Sequence, residues 1–369
     1  MRVWFLARQS FPFSPRQRLE DQRVGGSETA LFWVARGLAR LGWDVTVLNH
    51  CGTDSGEYEG VRYLDLAQHR SRWRSEARAS RLDVLVLFRR MLDVLSDVSA
   101  KVRVFWAHDH QGVYMSDPPG FSRSLAIGWR RMTGPQFHRR VDRVFVVSNF
   151  MADLFRWLFR TPSEKLVVMP NGIDGSLFKE PAVHHPLKFV QSSVPDRGLT
   201  QLLLEIFPVI RKTYPGSELH LFSYQPLDGY KKYASASVQF HGWVKKEELI
   251  RALEESWLML YPANFEEMGA ISVLESMAAG TPAVTSTLGV LAELAGNGER
   301  GVAVAGRPGS RDFAQRFVGA TLDLLGRPER LERMRAAARH YALAIHPWDR
   351  VVHKWDETLK DLANPRGQE

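Results

Sequence analysis

The chain has 369 residues, enough for two α/β domains with separate cores; 44% hydrophobic and 24% charged residues exclude a disordered chain. The single cysteine, Cys51, excludes an intramolecular disulfide and a thiolate zinc cluster and points to a reducing, cytoplasmic setting. Residues 1–180 hold 27 Lys and Arg against 19 Asp and Glu, so the whole net charge of +8 falls in the first half.

No apolar run reaches the length of a membrane span, and the apolar core of Met1–Phe11 is too short for a signal peptide. Short apolar runs then alternate with helical patterns. Val3–Leu6, Val45–Leu48, Val84–Phe88, Val102–Trp106 and Val144–Val147 read as buried parallel strands. Ser27–Leu41, Arg89–Asp97 and Ser148–Arg160 read as helices, with Ser27 and Ser148 as N-caps. Arg8–Val24 and Asp54–Arg81 read as loops. Arg70, Arg72, Arg74, Arg78 and Arg81 form a basic run, and Trp129–Arg131, Arg139–Arg140 and Phe155–Arg160 interleave basic with aromatic groups. Such a surface attracts anionic lipid headgroups, acidic glycans or nucleic acid, and predicts peripheral contact with the inner face of a membrane. The plainer reading is a solvated basic face.

The pattern restarts after residue 180. Leu187–Gln191, Glu218–Phe222, Val238–Phe240, Trp257–Tyr261 and Ala283–Thr285 read as strands. Leu199–Tyr214, Lys245–Glu255, Ala270–Ala279 and Asp312–Leu325 read as the helices between them, followed by Pro328–Ala344 and Trp348–Leu362. Gly175–Pro186 lacks periodicity and reads as the linker. The expectation is two doubly wound domains, residues 1–180 and 187–345, with ligands at the carboxyl ends of the strands.

Glu267 and Glu275 stand eight positions apart, one before a small-residue turn and one about two turns into the helix that follows. A helix N-terminus offers unpaired N–H groups and a partial positive charge, which suits a phosphate. The two carboxylates can then lie about 10 Å apart, matching hydroxyl groups at the two ends of a phosphate-linked ligand. The plainer reading is an amphipathic helix with an acid near its positive end.

The stretch Glu267–Met268–Gly269–Ala270–Ile271–Ser272–Val273–Leu274–Glu275, continued by Ser276–Val284, closely resembles the E-x7-E signature of retaining glycosyltransferases of family 4. Gly25–Gly26–Ser27–Glu28 resembles that family's opening, Val147–Phe150 and Pro170–Asp174 its inter-domain landmarks, and Phe240–Val244 its loop beside the nucleotide base. The resemblance implies the GT-B architecture, two Rossmann-like domains facing a cleft, with the last helix (348–363) crossing back to the first. It implies transfer of a sugar from a nucleotide-diphosphate sugar, UDP- or GDP-linked, to the hydroxyl of a glycan, a lipid-linked saccharide or a small metabolite. No cofactor, metal or nucleic acid is expected.

Carried over residue by residue, the resemblance gives Glu267 the sugar hydroxyls and Glu275 the ribose. It sets the amides of Gly269, Ala270, Ile271 and Ser272 toward the diphosphate, and Arg197–Gly198 at the family's Lys–Gly position. Gly25 and Gly26 would lie beside the diphosphate and acceptor. His108, then Asp109, would meet the donor sugar. The pair His108-x-His110 also suggests metal, yet the lone cysteine is distant and no Asp-x-Asp motif occurs. Two departures stand out. Gly269 and Ala270 replace the usual aromatic–Gly pair, and Ser192 or Ser193 replaces an expected Arg. A nucleotide-sugar epimerase or a weakened scaffold of the same architecture are the alternatives; a phosphorylase would need a pyridoxal lysine and a longer chain.

Overall fold

The computed structural model describes residues 1–8, 10, 12–16, 24–70, 72–108, 132, 134–178 and 184–364. The chain divides into two units, Met1–Asn171 with Trp348–Glu369, and Gly172–Pro347.

The first unit is built on β1 (Arg2–Leu6), β2 (Asp44–Asn49), β3 (Gly56–Tyr58), β4 (Val61–Asp65), β5 (Leu82–Phe88), β6 (Ala100–Ala107), β7 (Arg143–Val146) and β8 (Leu166–Val168). Their order is β3-β4-β2-β1-β5-β6-β7-β8, and β3 alone runs antiparallel, as a hairpin with β4. Val3, Phe5, Val84, Val86 and Val104 are fully buried, because helices cover both faces of a parallel sheet. Its helices include α1 (Gly26–Arg40), α2 (Trp73–Ala79) and α3 (Asn149–Phe159). Ser148 caps α3, its hydroxyl accepting from the Met151 amide at 3.2 Å. Ser27 does not cap α1; it lies inside the helix, and Gly25 is the N-cap.

The expected helix Arg89–Asp97 is only a 3-10 turn, Met91–Leu95. The reason is distance. Residues 89–99 must return from the carboxyl end of β5 to the start of the eight-residue strand β6. That strand is about 26 Å long, whereas eleven helical residues rise only about 16 Å. The reading of Asp54–Arg81 as loop also fails, since it holds β3, β4 and α2.

The second unit is built on β9 (Lys188–Ser192), β10 (Glu218–Phe222), β11 (Val238–Gly242), β12 (Leu258–Tyr261), β13 (Ala283–Ser286) and β14 (Val302–Val304). The sheet is parallel throughout, in the order β11-β10-β9-β12-β13-β14. Its helices are α4 (199–213), α5 (Lys246–Glu254), α6 (Ile271–Ala278), α7 (Leu291–Ala295), α8 (Arg311–Leu325) and α9 (Pro328–Ile345). The middle of α4, Leu202–Ile206, is π-helical. Pro208 lacks the amide that would bond back to Leu204, and the widened turn just before it absorbs the misfit.

The boundary falls earlier than the expected linker. The Ile173 amide donates to the His346 carbonyl at 2.7 Å, and Ile173 and Phe178 are buried in the core of the second unit. Residues 172–178 therefore belong to that unit.

The last helix, α10 (Trp348–Ala363), belongs to the first unit and supplies Trp348, Val351, Trp355 and Leu359 to its core. Trp348 stacks on Trp33 of α1 with ring centroids 6.1 Å apart, and the Trp43 indole donates to the Asp356 carboxylate at 2.7 Å. The two helices touch at Gly37, where an added Cβ would lie 2.4 Å from Val352 Cγ2. Valine in a helix is stiff and cannot swing aside. Gly37→Ala should therefore destabilise the protein by about 1–3 kcal/mol, and Val352→Ala in the same chain should restore most of it. Denaturant midpoints of the two single variants and the double check this; additive losses would mean that the helices do not meet there.

Candidate active site

In the second unit β9 is flanked by β10 on one side and β12 on the other, so the strand order reverses between β9 and β12. Loops leaving the carboxyl ends of such a pair diverge and leave a crevice. After β9 the chain runs through Ser193 to Arg197 and Gly198; after β12 it runs from Pro262 to Ala270. The two loops meet backbone to backbone at Gly198. Its φ is +92°, and an added Cβ would lie 2.1 Å from the Pro262 carbonyl oxygen, so only glycine fits.

Arg197 crosses to the second loop. Its guanidinium lies 3.7 Å from the centroid of the Phe265 ring and pairs with the Glu267 carboxylate. The Tyr261 hydroxyl donates to the same carboxylate oxygen, and the Ser193 and Tyr261 hydroxyls are 3.1 Å apart. Burial lowers the pKa of Arg197, but Glu267 and Tyr261 outweigh it and hold the guanidinium above its ordinary value. Burial, then Glu267, pushes the Tyr261 phenol well above its ordinary range. Ser193, one of the two serines where an Arg was expected, is thus tied through Tyr261 into the network that holds Glu267.

The Glu267 carbonyl accepts from the Val290 amide at 2.7 Å. Ala270 is the N-cap of α6 in a left-handed conformation, φ 37° and ψ 56°, and its side chain makes no capping bond. Gly269 precedes it, and Ile271 and Ser272 open the helix. Glu275 is the fifth residue of α6, so it lies little more than one turn inside rather than two. It is buried, and accepts from the Lys246 ammonium at 2.8 Å. Lys246, the first residue of α5, was not foreseen; the Lys245–Lys246 pair straight after Phe240–Val244 was the available signal. Next to it, the His241 ring stacks on Phe222 with centroids 4.6 Å apart, and its Nε2 is 3.0 Å from His220 Nδ1. Burial lowers the pKa of both imidazoles.

In the first unit the order reverses between β1 and β5. Here Glu28 of α1 and Arg89, just after β5, form a buried ion pair at 2.8 Å. Gly25 serves this pair, because an added Cβ would sit 2.7 Å from a Glu28 carboxylate oxygen. Gly26 is the first residue of α1. His108, after β6, is buried against Trp106 and Phe88, at ring-centroid distances of 4.5 and 5.1 Å, and among the described residues its Nε2 has no hydrogen-bond partner. Burial, then the Arg89 charge, holds its pKa well below the ordinary value, so the imidazole is neutral. Asp109 and His110 lie outside the described residues. Neither Glu28 nor Arg89 was foreseen as a site residue, although two arginines directly after a strand mark a carboxyl edge. Among the described residues no three His, Cys, Asp or Glu side chains gather as a metal site.

Residues 24–177 match the Glycosyltransferase Family 4 model, and residues 189–326 match the Glycosyl transferases group 1 model. A glycogen synthase of Mycobacterium tuberculosis is 27% identical, over 94% of this chain and 92% of its own. The chain is a family 4-like glycosyltransferase. A phosphatidyl-myo-inositol mannosyltransferase of Propionibacterium freudenreichii is 29% identical to the transferase, over 66% of this chain and 63% of its own. Sucrose-phosphate synthase from Thermosynechococcus elongatus has a TM-score of 0.74 at 15% identity, covering 98% of this chain and 99% of that one. A glycosyltransferase from Rickettsia africae has a TM-score of 0.72 at 13% identity, covering 98% of each. The fold of the transferase is GT-B, two Rossmann-like α/β units.

Ala270 holds a left-handed backbone that a glycine would adopt without cost. Ala270→Gly should stabilise the transferase by about 0.5–1 kcal/mol, the left-handed strain relieved less the added freedom of the unfolded chain. A lower denaturation midpoint would show that the alanine methyl contributes more by packing. Asp93 accepts from Arg8 at 3.1 Å, and among the described residues its other oxygen has no partner. Burial outweighs Arg8 and Arg90 and pushes its pKa up to about 6. The fold prefers the protonated acid, so this stability is full below about pH 4 and lost as pH rises through about 6. Compared with wild type, Asp93→Asn should gain stability across that window; parallel pH curves would place the titration elsewhere.

Proposed function

We propose that the transferase moves a hexosyl group from a nucleotide-diphosphate sugar, UDP- or GDP-linked, to an acceptor hydroxyl, with retention of anomeric configuration and without a metal. One observation carries this reading. Two acids bracket the N-terminus of α6 at the switch point, and each is held by its own cation, Glu267 by Arg197 and Glu275 by Lys246.

The diphosphate would lie over the start of α6, where the Gly269–Ser272 backbone and the helix dipole favour negative charge. Arg197, a planar fork suited to phosphate oxygens, would exchange Glu267 for the diphosphate. Glu267, released from that ion pair, would accept from sugar hydroxyls while Tyr261 keeps it in place. Glu275 would accept from the ribose hydroxyls, with Lys246 fixing its rotamer. Neutral His108 would donate to a sugar hydroxyl, and Asp109 would assist. The acceptor, a glycan, a lipid-linked saccharide or a small metabolite, would bind the first unit. In the transfer, the bond from C1 to the diphosphate oxygen breaks on the face where the acceptor oxygen bonds to C1. The acceptor proton passes to the leaving diphosphate. Gly269 and Ala270 in place of aromatic–Gly leave extra room near the sugar. The names of the similar proteins support a sugar transfer, and Anabaena HepE has been solved in complex with UDP and glucose.

Calorimetry against UDP-, GDP-, ADP- and dTDP-sugars, with and without magnesium, tests the donor. One nucleotide sugar should bind without metal, and Glu275→Ala should weaken it by about 1.5–3 kcal/mol, the worth of hydrogen bonds to a charged group. Lys246→Met should weaken it less. Binding that needs magnesium, or that is indifferent to Glu275→Ala, would remove this reading. Product NMR showing an inverted linkage would remove retention, and donor conversion without any acceptor would point to an epimerase.

A further inference from the structure

We propose that the turn Met91–Leu95 in the first unit rests on an anionic lipid bilayer. The turn faces two ways. Asp93 and Val94 are buried, whereas Leu92 and Leu95 are 56% and 60% exposed. Two leucines on one turn thus face water side by side.

Four arginines pair with the two acids of the same crossing, residues 89–99. Arg8 and Arg90 reach Asp93, at 3.1 and 3.8 Å. Arg74 of α2 lies 3.6 Å from one oxygen of Asp97, and Arg78 pairs with the other. The side chains of Arg8, Arg90, Arg74 and Arg78 remain 31%, 34%, 47% and 52% exposed. Four guanidinium groups against two carboxylates, one of them buried, leave the patch positive. Residues 1–180, which contain it, also carry the chain's whole excess of positive charge.

An occupant must satisfy both chemistries. A nucleic acid would meet the arginines and leave the leucines in water. An apolar protein groove would cover the leucines and leave the excess positive charge uncompensated. An anionic bilayer meets both, with acyl chains under the leucines and headgroup phosphates around the arginines. The attachment is peripheral, since among the described residues no helix is long and apolar enough to cross a membrane. The proposal is independent of the donor reading, because its test reads binding and not turnover.

The full chain is sedimented with vesicles of phosphatidylcholine alone and of phosphatidylcholine mixed with phosphatidylglycerol. It should bind the mixed vesicles, more weakly as salt rises, and leave the neutral ones in place. Leu92→Ser with Leu95→Ser should lower the partition coefficient about tenfold with every charge retained, and Arg74→Gln with Arg78→Gln should lower it by a similar factor. Trp157→Ser, an exposed aromatic on α3, should not change it. Unchanged circular dichroism confirms that the leucine variant is folded. Four results would overturn the proposal. These are no binding to mixed vesicles, equal binding by the leucine variant, full displacement by free glycerol phosphate, and a concentration-dependent dimer that the leucine variant abolishes. The last two would mean headgroup recognition alone and a second copy of the chain on the patch.

Discussion

Two parallel strands can be joined only by a segment that returns to the edge where the first began. Every strand-to-helix loop of a parallel sheet therefore emerges at one edge, and where the strand order reverses those loops part. Both units obey this constraint, and each of the side chains brought together here follows from it. Arg197, Glu267 and Ala270 leave the carboxyl ends of β9 and β12. Glu28, Arg89 and His108 leave those of β1, β5 and β6. Residues seventy positions apart, such as Arg197 and Glu267, become partners because the sheet order makes their strands neighbours.

Grouping acids at such an edge has a cost, since each carboxylate loses water. The cost is met one cation at a time: Arg197 for Glu267, Lys246 for Glu275, Arg89 for Glu28. Ion pairs this dry contribute little net stability, because desolvation offsets most of their attraction. Their value is geometric. Glu267 cannot rotate while Tyr261 and Arg197 both hold it, and Arg197 cannot rotate while Phe265 lies under it. On the proposed reading a phosphate-linked sugar carries both complements, negative oxygens for the arginine and hydroxyl donors for the acid. It could replace the ion pair without leaving either charge uncompensated.

The strands were legible because burial on both faces makes a parallel strand a plain apolar run, as in Val3–Leu6 and Val84–Phe88. Glu267 and Glu275 were legible as a pair around a helix start because their spacing spans a turn and the first residues of a helix, whereas Arg197–Gly198 came from the resemblance alone, since the Pro262 carbonyl that forces the glycine lies on another strand's loop. Lys246 and Arg89 were not. A local signal marks each position, but the partner depends on the order of the strands in the sheet, which no local pattern encodes. Gly25 was legible as a special position but for a different reason, since it makes room for the Glu28 carboxylate at its own helix terminus. The edge hairpin β3–β4 escaped because β3 has three residues, none of them buried, and β4 sets Arg62 and Asp65 among its apolar residues, so neither shows the apolar run that marks a central strand.

Residues 89–97 show how a local pattern yields to a global length. Their apolar spacing, Met91, Leu92, Val94 and Leu95, suits a helix, and in a longer connection it would make one. The crossing from β5 to β6 has too few residues to coil and still arrive, so the chain closes one 3-10 turn and then extends. A 3-10 turn repeats every three residues, which puts Leu92 and Leu95 on one side and their inward neighbours Asp93 and Val94 on the other. An α-helix would have needed its apolar stripe against the sheet. The shorter turn buries an acid there instead and turns two leucines outward. The exposed leucines are thus a consequence of sheet geometry, and the arginines of α2 pair with Asp97 because the preceding helix ends beside the same crossing.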